Sequence, residues 1–173
     1  MPSLQTMASV FITMMRIFSF PPIADEHSRI LILGNMPGKV SLNREQYYAH
    51  PQNAFWKIMF MLFNQAPHDD YEKKKTLLLN HGIALWDVLK GCERESSADS
   101  DILLEERNDF DTFFARHSSI KHIFFNGNNP YLYYKRHLKN IPLPYTILPS
   151  TSPAHAVAWQ MKFNEWQVIE NYL

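Results

Sequence analysis

Cysteine is nearly absent from the sequence, and this limits the chemistry open to the protein. Cys92 is the only cysteine among 173 residues, which excludes an internal disulfide, a cysteine-ligated zinc site and a cysteine-ligated iron–sulfur cluster. A lone thiol is usually buried and inert, and we expect this for Cys92. A chain without disulfides suits a reducing compartment, so the sequence predicts a cytoplasmic protein.

An excess of one charge sign is also absent. Lysine and arginine number 17, as do aspartate and glutamate, so the net charge is zero and a strongly basic surface for nucleic acid is excluded. Any grip on nucleic acid must come from a local group of cations. Lys39 and Arg44 form one candidate group. Lys135, Arg136 and Lys139 form a weaker one, for which a solvated helix face is the alternative.

Long hydrophobic runs are absent as well. The apolar stretch at 7–15 (MASVFITMM) is too short to span a bilayer, and neither a basic segment before it nor a small-residue cleavage site after it suggests a signal peptide. We therefore expect no membrane association. The sequence predicts a leader of uncertain order at 1–17 and a single domain at 18–173, acting as a monomer.

Short apolar runs are present, and they indicate a sheet covered on both faces. Four near-continuous runs, each followed by polar, glycine or proline residues, are typical of buried parallel strands. These runs are Ile30–Leu33, Ile83–Trp86, His122–Phe125 and Tyr145–Leu148. Helical patterns alternate with them at Phe55–Phe63, Tyr71–Asn80, Asp109–His117, Pro130–Leu138 and the stripe of Trp159, Phe163, Trp166 and Leu173. The alternation predicts an α/β fold, a three-layer α/β/α domain with a central, mostly parallel four-stranded sheet.

Polar segments follow all four predicted strands. Ligands bind beyond the carboxyl ends of parallel strands, so these segments should converge on one edge of the sheet. They are Gly34–Gly38, Asp87, Asn126–Asn128 and Ser150–His155. Asp87 could bind a ligand or cap a loop, and Asn126 could bind a ligand or hold the turn before Gly127. Lys90–Asp101 is the most polar stretch, and a solvated loop is one explanation of it.

The GNMPG segment at 34–38 places two glycines around a proline directly after a strand. Its backbone amides could bind an anion or position a water molecule, and an ordinary strand-to-loop turn explains the segment equally well when it is taken alone. It matches neither the GxGxxG nor the GxxxxGK[ST] pattern. The segment therefore gives little support to a dinucleotide or P-loop site, and we expect no cofactor and no metal.

Two further segments contain candidate functional residues. In HPQNAFW at 50–56, Asn53 could cap a helix or hold a water molecule, and Phe55 could be a core residue or a surface for stacking. Tyr47 and Tyr48, just upstream, are equally ambiguous. In LPSTSPAHA at 148–156, the hydroxyl and backbone N–H groups could bind a phosphate. His155 could bind the same phosphate, or it could be a surface residue without a function.

Together, these segments resemble the uracil-DNA glycosylase superfamily and, within it, the hypoxanthine (deoxyinosine) DNA glycosylase branch. The resemblance extends from about Phe18 to the C-terminus. The matching segments are SFPPI at 19–23, LILGNMPG at 31–38, SLNREQYYAHPQNAFW at 41–56, GIALWDVL at 82–89, the loop with Cys92, Arg94, Ser97 and Asp99, FFNG at 124–127, and LPSTSPAHA.

The resemblance implies catalytic roles for two asparagines. GNMPG looks like the superfamily's first motif, beside the scissile bond, where Met36 occupies a slot that mismatch-specific relatives fill with Asn. Because methionine cannot orient water, this duty is assigned to Asn53, which the branch retains. Asn35, which stands where we expect Ser, is the second candidate.

The resemblance also implies a pocket for the base and a grip on DNA. Phe55 resembles the aromatic residue that stacks on the base, and Ser152-Pro153 resembles the second motif, which clamps DNA. His155 stands where we expect Asn. The residues expected to line the base pocket are Tyr47, Phe55, Trp86, Asp87 and Asn126. The residues expected to bind DNA are Lys39, Ser150, Thr151, Ser152 and His155.

The implied activity is that of a DNA glycosylase, which flips a deaminated base out of DNA and hydrolyses its N-glycosidic bond. Hypoxanthine is the expected base, uracil is a further one, and DNA containing such a base is the expected partner. A catalytic carboxylate is dispensable if the bond breaks dissociatively, and the lack of lysine in the motifs predicts a monofunctional enzyme that leaves an abasic site. The sequence leaves open a uracil or mismatch glycosylase with little action on deoxyinosine, a non-catalytic module that binds damaged nucleic acid, and a small-nucleotide or flavin-binding protein.

Overall fold

A computed structural model describes residues 14–173 of the chain. In this range the strands are β1 (Arg16–Phe18), β2 (Ile30–Gly34), β3 (Ile83–Asp87), β4 (Leu89–Glu93), β5 (Leu103–Arg107), β6 (His122–Asn126) and β7 (Tyr145–Leu148). The helices are α1 (Lys39–Arg44), α2 (Phe55–Leu62), α3 (Tyr71–Asn80), α4 (Phe110–Arg116), α5 (Asn128–His137) and α6 (Trp159–Trp166). Short 3-10 helices lie at Asp99–Asp101 and Gln167–Tyr172.

The predicted central sheet is confirmed. Its four strands are all parallel and lie in the order β3-β2-β6-β7. Strands β2, β3 and β6 each extend one residue beyond the apolar run that predicted them. Gly34, Asp87 and Asn126 are therefore the last residues of their strands, and all three lie at the carboxyl edge of the sheet.

Helices cover both faces of this sheet, which confirms the three-layer α/β/α architecture. Successive strand residues face opposite sides, as the strand geometry requires. Ile30 and Ile32 pack into one core with α2, α3 and α6, whereas Leu31 and Leu33 pack into the other with α4 and α5. No helix between residues 14 and 173 is long and apolar enough to cross a bilayer.

A second, small antiparallel sheet was not predicted. It has the order β1-β4-β5, and β4 includes Lys90–Glu93, so the solvated-loop alternative does not hold for the first third of the stretch Lys90–Asp101, whereas the segment after Arg94 is largely exposed. Gly91 interrupts the alternation of apolar and polar residues by which β4 could have been predicted. It lies so close to β1 that a Cβ atom there would be 3.0 Å from the Phe18 ring. Cys92 is fully buried in this sheet, as expected.

Two boundaries differ from the predicted ones. Arg16 and Ile17 belong to β1 and pair with β4, so the expected boundary between leader and domain, at residue 18, falls inside a strand. The leader residues 1–13 lie outside the described part of the chain. Helix α5 begins two residues before Pro130, since proline needs no hydrogen-bond acceptor in the first turn of a helix.

Candidate functional site

Three residues meet closely at the carboxyl edge of the sheet. A Cβ atom at position 34 would lie 2.5 Å from Asp87 Oδ1 and 2.8 Å from the Tyr48 hydroxyl oxygen, so only glycine fits there. Gly34 therefore lets a carboxyl group and a phenol approach the end of β2 from two different segments of the chain. We call Gly34, Tyr48 and Asp87 the polar floor.

Unsatisfied polar atoms are concentrated around this floor. Within residues 14–173, the buried side-chain atoms without a hydrogen-bond partner belong to Asn35, Tyr48, Asp87 and Arg94, apart from one nitrogen of His68 elsewhere. Buried polar groups in folded proteins normally have partners, and clusters of exceptions are typical of sites that receive a polar ligand. The floor offers both donors and acceptors to such a ligand.

Asp87 has an unusual protonation state. Burial raises the pKa of this carboxyl to about 8, with a further contribution from the nearby Asp99 carboxylate and an opposing one from Arg94. Burial and Asp87 together also raise the pKa of Tyr48. Near neutral pH, both groups are therefore mainly protonated. A protonated carboxyl presents a donor and an acceptor side by side.

The segment after β4 supports the GNMPG loop from behind. The fully buried Arg94 guanidinium donates to the Pro37 carbonyl oxygen and lies 3.8 Å from an Asp99 carboxylate oxygen. The Lys39 N–H donates to Ser97 Oγ at 2.9 Å. These contacts fix the loop that contains Asn35.

Asn35 is buried at the base of this loop, and among residues 14–173 neither polar atom of its amide has a hydrogen bond of good geometry, although the Asp99 carboxylate is close enough to interact with the amide. Asp99 lies beside it and accepts from the Asn129 amide at 3.1 Å. Burial raises the pKa of Asp99, while the neighbouring Asn129 and Asn35 amides lower it. Asn35 thus adds an unsatisfied amide donor and acceptor to the polar atoms around the floor.

Asn53 lies at the start of α2, and its side chain has a structural contact. Its Oδ1 accepts a hydrogen bond from the Phe55 N–H at 2.9 Å, which fixes the orientation of the amide and satisfies the first N–H of α2, one residue beyond the N-cap position at Ala54. The residue is half-buried. The second lone pair of Oδ1 and both amide protons have no partner among the described residues, so the cap leaves the amide able to hold a water molecule.

Phe55 is a core residue in this structure. It is fully buried, one face is covered by the Tyr48 ring at 4.3 Å between centroids, and the edges meet Trp56 and Trp166. This corrects the expectation that Phe55 stacks on a ligand, because no face is left for one. The Tyr48 residue that covers it is half-buried, so Tyr48, and not Phe55, is the member of this stacked pair with exposed surface.

Tyr47 and Trp86 point away from the polar floor, which corrects their expected place in the pocket. The Tyr47 hydroxyl donates to the Pro21 carbonyl oxygen at 3.0 Å, beside a separate cavity of about 750 Å³ between the N-terminal segment and α3. The Trp86 ring packs against Phe110 and Phe113 on the opposite face of the sheet. Strand alternation places Trp86 and Asp87 on different faces.

Asn126 and Thr151 bind one another. The Asn126 amide donates to Thr151 Oγ1 and its Oδ1 accepts from the Thr151 N–H, both at 2.9 Å. Thr151 is fully buried, so its side chain cannot contact DNA, and this corrects its expected role. The pair fastens the loop after β7 to the end of β6, beside the polar floor.

The rest of that loop is exposed but internally bonded. Ser150 Oγ accepts the Ser152 N–H, Ser152 Oγ accepts the Ala154 N–H, and the Ser152 carbonyl accepts the His155 N–H. The expectation of free backbone N–H groups is therefore wrong for these residues. The hydroxyl protons of Ser150 and Ser152 remain able to donate outwards, and the His155 side chain is exposed.

The candidate cations lie in different places. Lys39 is exposed at the start of α1, next to the GNMPG loop. Lys135 and Arg136 lie in the last turn of α5, which runs from the carboxyl edge of the sheet towards the other edge. Arg136 is paired with Glu105 at 2.8 Å. The second cation group is therefore remote from the polar floor.

The structure brings to the site three residues to which the sequence assigns no role: Tyr48 is ambiguous there, Arg94 is only part of a matching loop, and Lys162 lies outside the matching segments. Tyr48 has a left-handed backbone, with φ of 53°, which is rare for tyrosine and often associated with functional sites. Arg94 braces the first loop, and Lys162 on α6 donates to the Ser152 carbonyl at 2.9 Å. A charged residue inside an apolar helical stripe was the only signal available for Lys162.

The parallel sheet, the polar floor at its carboxyl edge and the half-buried Tyr48 form a site whose chemistry suits a planar ring with hydrogen-bonding edges. The chain belongs to the uracil DNA glycosylase superfamily, whose family model matches residues 21–172. This confirms the resemblance seen in the sequence.

Similar proteins come from archaea of the genus Methanosarcina. A hypoxanthine DNA glycosylase of Methanosarcina acetivorans is 36% identical over 151 residues, which cover 87% of this chain and 95% of that protein. A hypoxanthine DNA glycosylase of Methanosarcina barkeri is 34% identical, over 85% of this chain and 93% of the relative. The solution NMR structure of a candidate uracil DNA glycosylase from M. acetivorans superimposes with a TM-score of 0.78 at 35% identity, covering 90% of this chain and 96% of that one.

Proposed function

We propose that this protein is a monofunctional DNA glycosylase that hydrolyses the N-glycosidic bond of hypoxanthine in DNA and leaves an abasic site. The observation behind this choice is the polar floor, where Asp87 and Tyr48 offer unsatisfied donors and acceptors beneath an accessible aromatic ring. A base flipped from the duplex can stack on such a ring while its edge is read by hydrogen bonds. The names of the Methanosarcina relatives support the same substrate.

The edge of hypoxanthine matches a protonated carboxyl. Its O6 accepts a hydrogen bond and its N1–H donates one, which pairs with the hydroxyl and carbonyl of neutral Asp87. Uracil has the same arrangement at O4 and N3–H, so it is the second candidate substrate on the same observation.

The chemistry proposed for this site needs no strong base. If the bond breaks dissociatively, the sugar becomes an oxocarbenium-like cation, and the site must hold a water molecule and stabilise the departing base anion. The oriented Asn53 amide holds the water. Asn35, in the GNMPG loop, is the second candidate for this role. A monofunctional reaction follows from the absence of lysine in GNMPG, HPQN and LPSTSPAHA, since a lyase step needs an amine nucleophile.

The decisive experiment compares duplexes that contain one deoxyinosine, deoxyuridine or deoxyxanthosine. We expect strand breaks after alkali treatment, fastest with deoxyinosine, and no break without alkali. Borohydride should trap no covalent complex, because the reaction forms no Schiff base. Tight binding of deoxyinosine DNA without any strand break would instead identify a non-catalytic module. A break with deoxyuridine alone would favour a uracil or mismatch enzyme.

Tyr48 and Phe55 should respond differently to truncation. Tyr48→Ala removes the accessible ring, so we expect excision of hypoxanthine to fall at least about tenfold, since stacking a base on an aromatic side chain contributes roughly 1–3 kcal/mol. Phe55→Ala opens a cavity in the core and should lower the free energy of unfolding by about 3–5 kcal/mol. Single-turnover excision and urea unfolding of both variants separate the two roles. Equal instability in both would mean that Tyr48 is only packing.

We also propose that the protein works as a monomer in the cytoplasm. The single buried thiol and the absence of disulfides support a reducing compartment. The one-domain size supports a self-sufficient monomer. Light scattering at the concentrations of the excision assay tests the oligomeric state, and a fluorescent fusion tests the compartment.

A further inference from the structure

Lys162 is a buried cation whose charge the catalytic scheme above does not use. Only 3% of its surface is exposed, and its ammonium donates to the Ser152 carbonyl oxygen at 2.9 Å. Between residues 14 and 173, no carboxylate forms an ion pair with it. Burial lowers the pKa of this ammonium. Because buried lysines are normally paired with an anion, an anion from outside the chain is the natural partner of this one.

The loop above Lys162 has donors but no charge. The Oγ atoms of Ser150 and Ser152 each accept a backbone N–H, so their own hydroxyl protons are free to donate away from the loop. The N–H groups of Thr151, Ala154 and His155 are already bonded within the protein. Neutral hydroxyls bind a phosphate more weakly than a charged donor does, and a nearby cation makes up the difference.

We propose that Lys162 is a further DNA-binding residue: its ammonium, beneath the Ser150–His155 loop, is the counter-charge of the DNA phosphate that the loop hydroxyls contact. The inference rests on the proposed function, because it takes DNA as the ligand. Lys162 acts through the loop, since its buried ammonium is bonded to the Ser152 carbonyl oxygen. A chain with zero net charge has no general electrostatic attraction for DNA, so one cation near the phosphate contributes a larger share of the binding free energy.

Salt dependence distinguishes a counter-charge from a structural tether. The Lys162→Gln variant keeps a donor for the Ser152 carbonyl but loses the charge, whereas Lys162→Arg keeps the charge. Lys121→Met is a matched control, because Lys121 also donates to a serine carbonyl, that of Ser118 at 2.7 Å, but lies at the amino end of β6. The dissociation constant of each protein for a deoxyinosine duplex is measured by fluorescence anisotropy between about 50 and 200 mM salt.

We expect Lys162→Gln to bind DNA about tenfold more weakly at the lowest salt, and its slope of log affinity against log salt to be shallower by up to about one. Lys162→Arg and Lys121→Met should retain the wild-type slope. Single-turnover excision at saturating enzyme should stay at the wild-type rate in Lys121→Met, because Lys121 donates to the Ser118 carbonyl at the amino end of β6 and has no part in the site.

Several results would overturn the inference. Wild-type affinity and slope in Lys162→Gln would show that the hydrogen bond alone matters, and weaker binding with an unchanged slope would point to a misplaced loop. Lys162→Met, which keeps the apolar stem, must show the same change of slope, and failure of both variants to fold would establish a structural role. If the proposed function itself were wrong, the wild-type protein would bind DNA without excising the base. This result is distinguishable from failure of the Lys162 inference, which is measured by comparing variants.

Discussion

Replacing Asn53 with alanine is expected to slow single-turnover excision of hypoxanthine by a factor on the order of several hundred. Removing one preorganised polar group that acts in the transition state typically has an effect of this size. The Asn53 amide is held by the Phe55 N–H at 2.9 Å and is half-buried, so it can orient a water molecule without moving. DNA binding should change little, because the loops that face the phosphates are untouched.

The same variant also removes a helix cap, and the control accounts for this. Loss of the cap should lower the free energy of unfolding by about 1 kcal/mol. Asn53→Ser retains a side-chain acceptor for the helix end but lacks the amide, so it should recover stability and not excision. A parallel loss of DNA affinity and excision in Asn53→Ala would mean that Asn53 is a structural cap and that Asn35 or another group handles the water.

Replacing Asp87 with asparagine is expected to change the pH profile more than the rate at neutral pH. Asparagine resembles the protonated carboxyl in size and offers a donor and an acceptor. In the wild-type protein, excision should decline as pH rises through about 8, where Asp87 ionises and repels the oxygen atom of the base. In Asp87→Asn this decline should be absent. A decline of equal size in the variant would assign the titration to another group.

The same carboxyl makes folding depend on pH. Its pKa rises from 3.8 to about 8 on folding, so between these values the folded state binds more protons than the unfolded state, and stability falls as pH rises. The contribution is complete below about pH 4 and is lost by about pH 8. Asp87→Asn should therefore be more stable than the wild type near neutral pH, by more than about 1 kcal/mol, with little difference in acid. Urea unfolding at several pH values measures this, and Asp111→Asn is an exposed control.

The central sheet was predictable because burial on both faces leaves a direct trace in the sequence. Runs such as Ile30–Leu33 and His122–Phe125 are apolar without alternation, and each one became a parallel strand. The small sheet left no such trace. The strand Leu89–Glu93 contains a glycine that serves a close backbone approach and a lysine that faces solvent, so its local pattern is that of a loop.

The site was predictable in position and less so in detail. Parallel strands bring their carboxyl ends to one edge, which placed Asp87 and Asn126 near the GNMPG loop. Which aromatic side chain has exposed surface depends on tertiary packing: Tyr48 has a left-handed backbone, and its hydroxyl lies close to Gly34 at the end of β2, which the local sequence does not reveal. Phe55 and Tyr48 differ in exposure for this reason, although both are aromatic residues of one segment.

The burial of Cys92 bears on the conditions under which such a protein must work. Nitrosating agents convert adenine in DNA to hypoxanthine, and the same agents modify thiols that solvent can reach. The single thiol of this chain is fully covered by the small sheet, and burial raises its pKa, which keeps it in the less reactive protonated form. The agents that produce hypoxanthine in DNA therefore have no solvent-accessible cysteine to modify in this protein.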